Sequence, residues 1–246
     1  MSFAKRPDVL PLDEMYDGRS GISSHHRDPL SASPPSLESE MSQRSSSRIF
    51  NVYRTTSFTN WIVTLPDKTP LYYVRTSSFR PGRPEITLHK GGFPDGPIAG
   101  VSNFVNFSSN SKLGLGDPAE PLSMVWEDLV KVSMLVHSCY RLECTVYPNA
   151  TSESQRKTFL WKRTHSVGVE DSKPSKLSDL NFKLVDEDAG ELVAIFANNG
   201  IKSFKKQGKI EIRKEYGGNF ETMVILSCMT LLERAHRRAA ARSQWP

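Results

Sequence analysis

The sequence predicts a mainly β fold, a sandwich or barrel of short antiparallel strands built around an apolar C-terminal helix. Three observations carry this. Short runs rich in β-branched and aromatic residues alternate with turn residues from about position 49 onward. The chain near its end becomes apolar on all sides at helical spacing. No internal repeat is visible, and the density of short strands favours a sandwich or barrel.

Residues 1–48 read as a disordered Ser/Pro-rich tail and residues 49–246 as one domain. Between Ser31 and Ser47, eight of seventeen residues are Ser, and only Leu37 and Met41 are large and apolar. Such a segment buries too little surface to offset the entropy of ordering it. Leu10, Leu12, Met15 and Tyr16 are noted as a candidate docking motif in the tail.

The expected strands follow in order. Arg48 to Thr55 is the first. Trp61 to Leu65 and Leu71 to Arg75 flank Pro66-Asp67-Lys68-Thr69-Pro70 as a hairpin. Glu85 to Lys90 runs into the Gly- and Pro-rich turn 91–97, and Ile98 to Phe107 follows. The Ser/Asn/Gly stretch from Ser108 to Pro118 reads as a loop. Leu122 to Val136 fits both helical and strand periodicity and is assigned to strand on one side of a short turn. Cys139 to Tyr147, Thr158 to Arg163, Phe182 to Val185 and Glu191 to Ala197 come next, the last closed by an Asn-Gly turn. Ile201 to Phe204 then leads through a turn at Lys205-Lys206-Gln207-Gly208 into Lys209 to Lys214.

Asn219 is placed to cap a helix over Phe220 to Arg238, with Glu221 at its positive end. Only a strip of Ser227, Thr230 and Arg234 interrupts its apolar surface. The uncharged stretch Thr222 to Leu232 spans about 16 Å at 1.5 Å per residue, too short for a bilayer and suited to threading a small barrel. The basic end, from Arg234 to Arg242, is expected to emerge into solvent.

The runs Phe159-Leu160-Trp161-Lys162-Arg163-Thr164-His165, Asn181 to Asp186, Gly190 to Phe196 and Gly208 to Ile212, with the helix, resemble the tubby C-terminal-like superfamily. This superfamily includes tubby proteins, phospholipid scramblases and LURP-one-related proteins, and the chain looks most like uncharacterised tubby-like proteins of filamentous fungi. The resemblance implies a closed antiparallel β-barrel, here of about 12 strands, enclosing the hydrophobic helix. It also implies phosphoinositide or anionic membrane lipid binding through basic residues.

Net charge is +5, with Lys and Arg spread along the chain rather than massed on one stretch, so nucleic acid is not an expected partner. The densest basic group is Lys202, Lys205, Lys206 and Lys209, with Lys162 and Arg163, and these six are the candidate lipid- or phosphate-binding residues. Asp186-Glu187-Asp188 lacks the spacing of a calcium loop. His137, Cys139 and Cys144 lack a fourth zinc ligand, and Cys139 and Cys144 fall on opposite strand faces. Gly114-Leu115-Gly116 is not a phosphate loop, and no Gly-x-Ser-x-Gly or His-Glu-x-x-His occurs. The expectation is a non-enzymatic binding module without cofactor or metal, a monomer with at most peripheral membrane contact. The alternative is a protein-interaction or regulatory adaptor, with a phosphorylatable N-terminal tail engaging a protein partner. Three cysteines and no apolar leader run place it in the cytoplasm, with the nucleus or a membrane surface as alternatives.

Overall fold

A computed structural model describes residues 47–77, 82–132, 139–147, 153–170, 180–199, 205–217 and 219–243. The expected tail through residue 46, the Ile201 to Phe204 strand and Lys202 therefore lie outside the described residues, and Arg48, counted in the tail, begins β1. Twelve antiparallel strands close into a barrel around one helix. They are β1 (Arg48–Arg54), β2 (Trp61–Thr64), β3 (Pro70–Thr76), β4 (Ile86–Lys90), β5 (Ile98–Phe104), β6 (Ser111–Leu115), β7 (Val125–Lys131), β8 (Cys139–Val146), β9 (Gln155–Arg163), β10 (Phe182–Asp186), β11 (Leu192–Asn198) and β12 (Lys206–Ile212). Each strand pairs with its sequence neighbours, and β1 against β12 closes the ring.

Side chains alternate along every strand, so one set points at the axis. Phe50 and Val52, Ile86 and Leu88, Leu142 and Cys144, and Phe159 and Trp161 belong to that inner set, and all are buried. They enclose α1 (Phe220–Ser243), in which Met223 through Leu232 is buried without a break. The helix enters beside the aromatic trio Phe159, Tyr216 and Phe220, whose ring centroids lie 4.9 to 5.5 Å apart. At Gly100 an added Cβ would stand 2.9 Å from the Gly114 carbonyl and 3.2 Å from Leu226, so glycine lets the helix lie close to β5.

Three expectations change. The stretch 108–118 is not all loop, because Ser111 to Leu115 forms β6. Its Ser and Gly lower strand propensity, yet Gly114 leaves the outer face open for the Trp126 ring, which an added Cβ would meet at 2.9 Å. Lys206-Gln207-Gly208 lies inside β12 rather than in a turn. Ser227 and Thr230 are fully buried, as an enclosed helix requires: Trp161 Nε1 donates to Ser227 Oγ at 3.0 Å, and Thr230 Oγ1 donates to the Leu226 carbonyl at 2.7 Å. Arg234, expected to emerge into solvent, is instead held against the barrel. It lies over the Phe104 ring at 4.2 Å and donates to Ser111 Oγ, the Ser108 carbonyl and the Asn110 carbonyl. A half-buried guanidinium is tolerable only when such acceptors surround it. Burial lowers its pKa to about 10, which leaves it cationic at neutral pH.

Antiparallel order puts the loops after odd-numbered strands at one end of the barrel. The helix exits at that end, where Arg234 meets the β5–β6 turn and Arg237 Nη2 donates to the Ser77 carbonyl at 2.8 Å.

Candidate functional site

The basic residues singled out from sequence separate in the fold. Lys162 pairs in register with Lys183 of β10, three strands from β12, or roughly 14 Å at about 4.8 Å per strand. Arg163 takes the inward parity of Phe159 and Trp161, with its Nε buried. Lys206 and Lys209 do come together, and Lys205 is exposed just before β12. Burial and the neighbouring Lys209 lower the Lys206 pKa, and its ammonium lies 5.8 Å from the centre of the Tyr53 ring.

The outer face of β12 is also partly covered and partly neutralised. The segment after β9 folds over the outside of the barrel, and Val169 packs with Ile195 and Ala197 in a small second core beside Ile49. Glu170 of that segment pairs with Lys209. Arg213 pairs with Glu211 at 3.1 Å, and Lys214 with Glu191.

A different group of basic residues meets at the helix-exit end. Arg54 ends β1, Arg75 lies on the outer face of β3, Arg83 comes from the loop before β4, and Arg237 comes from α1. Together they line a cleft of about 960 Å³ that runs from the last turns of the helix, over the rim of β1–β3, down the outside of β4. Glu233 is the only carboxylate among its described lining residues. It accepts from Arg237 Nε at 2.6 Å.

Two of these arginines hold the cleft's shape. Arg54 Nε donates to Gln207 Oε1 at 3.1 Å and Nη1 to the Phe58 carbonyl at 2.7 Å, while Nη2 donates to His236 Nδ1. An arginine has no lone pair to offer, so His236 accepts and is neutral. Burial and the Arg54 charge push its imidazole down to about 4. Burial also lowers the Arg54 pKa, against the pull of Glu233. Arg237 stacks over Phe104 at 4.8 Å.

The rest face solvent with donors to spare. Arg83 is exposed and has no ion-pair partner among the described residues. Arg75 uses Nη2 on the Pro94 carbonyl at 2.6 Å and keeps its other donors. Two lining residues carry buried nitrogens without a partner among the described residues, Trp61 Nε1 and His89 Nε2. His89 Nδ1 donates to the Gly96 carbonyl at 2.8 Å, so in the neutral ring Nε2 is the bare nitrogen. Unsatisfied buried polar atoms are rare in native folds, and each is open to a partner, a water or an ion that would complete it.

Sequence reasoning missed this cleft. Its arginines stand at positions 54, 75, 83 and 237, with no local run to mark them. The one signal within reach was the basic end of the helix.

No protein-family model matches the chain, and no curated protein matches it. Among solved structures, the chain is similar to the X-ray structure of a protein from Arabidopsis thaliana, with a TM-score of 0.44 and 10% sequence identity, over 77% of this chain and 91% of that chain. Among the described residues no helix is long and apolar enough to cross a membrane, and no cluster of three His, Cys, Asp or Glu residues is arranged to hold a metal ion.

Proposed function

We propose that this chain is a non-enzymatic binding module of the tubby C-terminal-like type that takes a phosphorylated, anionic group in the arginine cleft. The observation that carries the reading is a cleft lined by four arginines, two of which (Arg75 and Arg83) keep free donors, against one carboxylate among its described lining residues. Guanidinium donors match the oxygens of phosphate in geometry and charge, and a cleft walled by protein focuses that field. The orphan N–H of Trp61 adds a donor with no acceptor of its own. The twelve-stranded barrel closed around a buried helix supports the family reading.

The reading moves the ligand away from the lysines of β12, where Lys209 is already engaged by Glu170. Phosphoinositides and other anionic lipids remain the ligand class, with the headgroup in the cleft. Calorimetric titration of the full-length chain with inositol hexakisphosphate tests it. Arg83→Glu, at an exposed position with no structural bond, should weaken binding about tenfold, or roughly 1.4 kcal/mol, and binding should fall with added salt. Equal affinity in wild type and variant contradicts the cleft as the site.

A further inference from the structure

Two hairpin turns at the helix-exit end share an unusual design. The β1–β2 turn, Thr55-Thr56-Ser57-Phe58-Thr59-Asn60, is closed by Thr55 N–H donating to the Asn60 carbonyl at 2.9 Å. The β5–β6 turn, Val105-Asn106-Phe107-Ser108-Ser109-Asn110, is closed by Val105 N–H donating to the Asn110 carbonyl at 3.0 Å. Each has a second bond inside, Phe58 N–H to Thr55 at 3.0 Å and Ser108 N–H to Val105 at 3.2 Å. Each closing Asn ties the turn to a neighbouring strand, Asn60 Oδ1 accepting from Thr76 N–H at 2.8 Å and Asn110 Oδ1 from Lys131 N–H at 2.9 Å. An arginine then grips each turn's carbonyls, Arg54 on Phe58 and Arg234 on Ser108 and Asn110.

These fixed turns hold a phenylalanine outward. Phe58 is 53% exposed at φ 58°, and Phe107 is 111% exposed at φ 56°. A bulky side chain in left-handed backbone costs on the order of 1 kcal/mol, and exposing an aromatic ring forgoes burial worth about 2 kcal/mol. A turn built to sustain both costs points to a use for the ring outside the fold.

The surroundings say what receives it. Neither turn contains a charged residue, and between them along the rim lie Arg83 and, from the helix end, Arg237. Phe93 and Leu122 are also exposed, but they sit in loops after even-numbered strands that carry Asp95, Asp117 and Glu120. The two phenylalanine turns are four strands apart, roughly 19 Å along the sheet. A protein partner would need a continuous packed patch between them, whereas a bilayer takes up each ring independently and rewards the basic residues beside it.

We propose that the helix-exit end docks on an anionic lipid bilayer, with Phe58 and Phe107 inserted below the headgroups and the arginine rim against them. This rests on the anion-binding reading of the cleft and adds how the chain seats on the bilayer, through two aromatic rings beside the arginines. The test is co-sedimentation of the full-length chain with phosphatidylcholine vesicles, with and without phosphatidylserine, run beside titration with inositol hexakisphosphate. Wild type should bind the phosphatidylserine vesicles. Phe107→Ser, at a position outside the cleft lining, should lose about fivefold or more on vesicles while its affinity for the soluble polyanion is unchanged. Equal vesicle binding by this variant and wild type overturns the insertion, as does wild type binding the polyanion but no vesicle; both outcomes leave the cleft reading standing. Failure to bind either probe overturns the cleft reading and the docking with it. A Phe107→Trp chain gives a second readout independent of the serine variant. Bromolipid should quench its added fluorescence on vesicles, and no quenching beyond that of wild type contradicts insertion.

Discussion

Arg234 and Asp186 show how single charged residues are made acceptable inside this barrel, and each yields a measurable consequence. Arg234 replaces water with three protein acceptors and an aromatic face. Arg234→Ala leaves those acceptors without a donor, so the chain should lose about 3 kcal/mol in urea denaturation. Asp186 is fully buried at the other end, where Lys157 at 2.7 Å, the Tyr216 hydroxyl at 3.0 Å and the Asp188 and Ala189 N–H groups surround it. Burial pushes the carboxyl up, but those bonds outweigh it and hold its pKa at about 2. A depressed carboxylate contributes stability above its unfolded pKa, about 3.9, and loses it as pH falls toward the folded value. His236 acts at higher pH. Its neutral form is favoured in the fold, so stability held above about 6.5 should decline as pH falls toward about 4. Melting temperatures across pH 7 to 2 should therefore drop in two stages, with Asp186→Asn removing the lower one and His236→Gln the upper. A single stage below pH 4 would contradict the His236 assignment.

At the scale of elements, the helix was legible because periodicity left it no polar face wide enough for solvent. Strand positions with clean alternation, such as Tyr140-Arg141-Leu142-Glu143-Cys144, were legible for the same reason. What escaped was set by partners distant in sequence. β6 is a strand because β5 and β7 supply its ladder and Trp126 covers Gly114, neither of which Ser-Lys-Leu-Gly-Leu announces. The burial of Arg234 depends on carbonyls of a turn more than a hundred residues earlier. Two substitutions test the packing of the helix against the wall. Leu226→Ala should cost about 3 kcal/mol through the cavity it leaves. Gly100→Ala should cost roughly 1–3 kcal/mol, because its methyl meets the Gly114 carbonyl and Leu226. Losses below half a kcal/mol in both would mean that the helix sits loosely in the barrel.

Across the whole molecule, the two ends differ in chemistry. The entry end of the helix is closed by packed aromatic rings, and its exit end gathers arginines and the two outward phenylalanines. The lysines of β12 drew notice from sequence because they are adjacent in it, and the cleft did not because four separate elements assemble it. Position in the fold therefore separates the two candidates for the binding surface. Hydrogen–deuterium exchange of the full-length chain, with and without inositol hexakisphosphate, distinguishes them directly. The cleft predicts slowed exchange in the β1–β2 turn, at Thr76 and Ser77, and from Gly82 to His89, with β12 unchanged. Slowed exchange confined to Lys205 through Lys209 would contradict it.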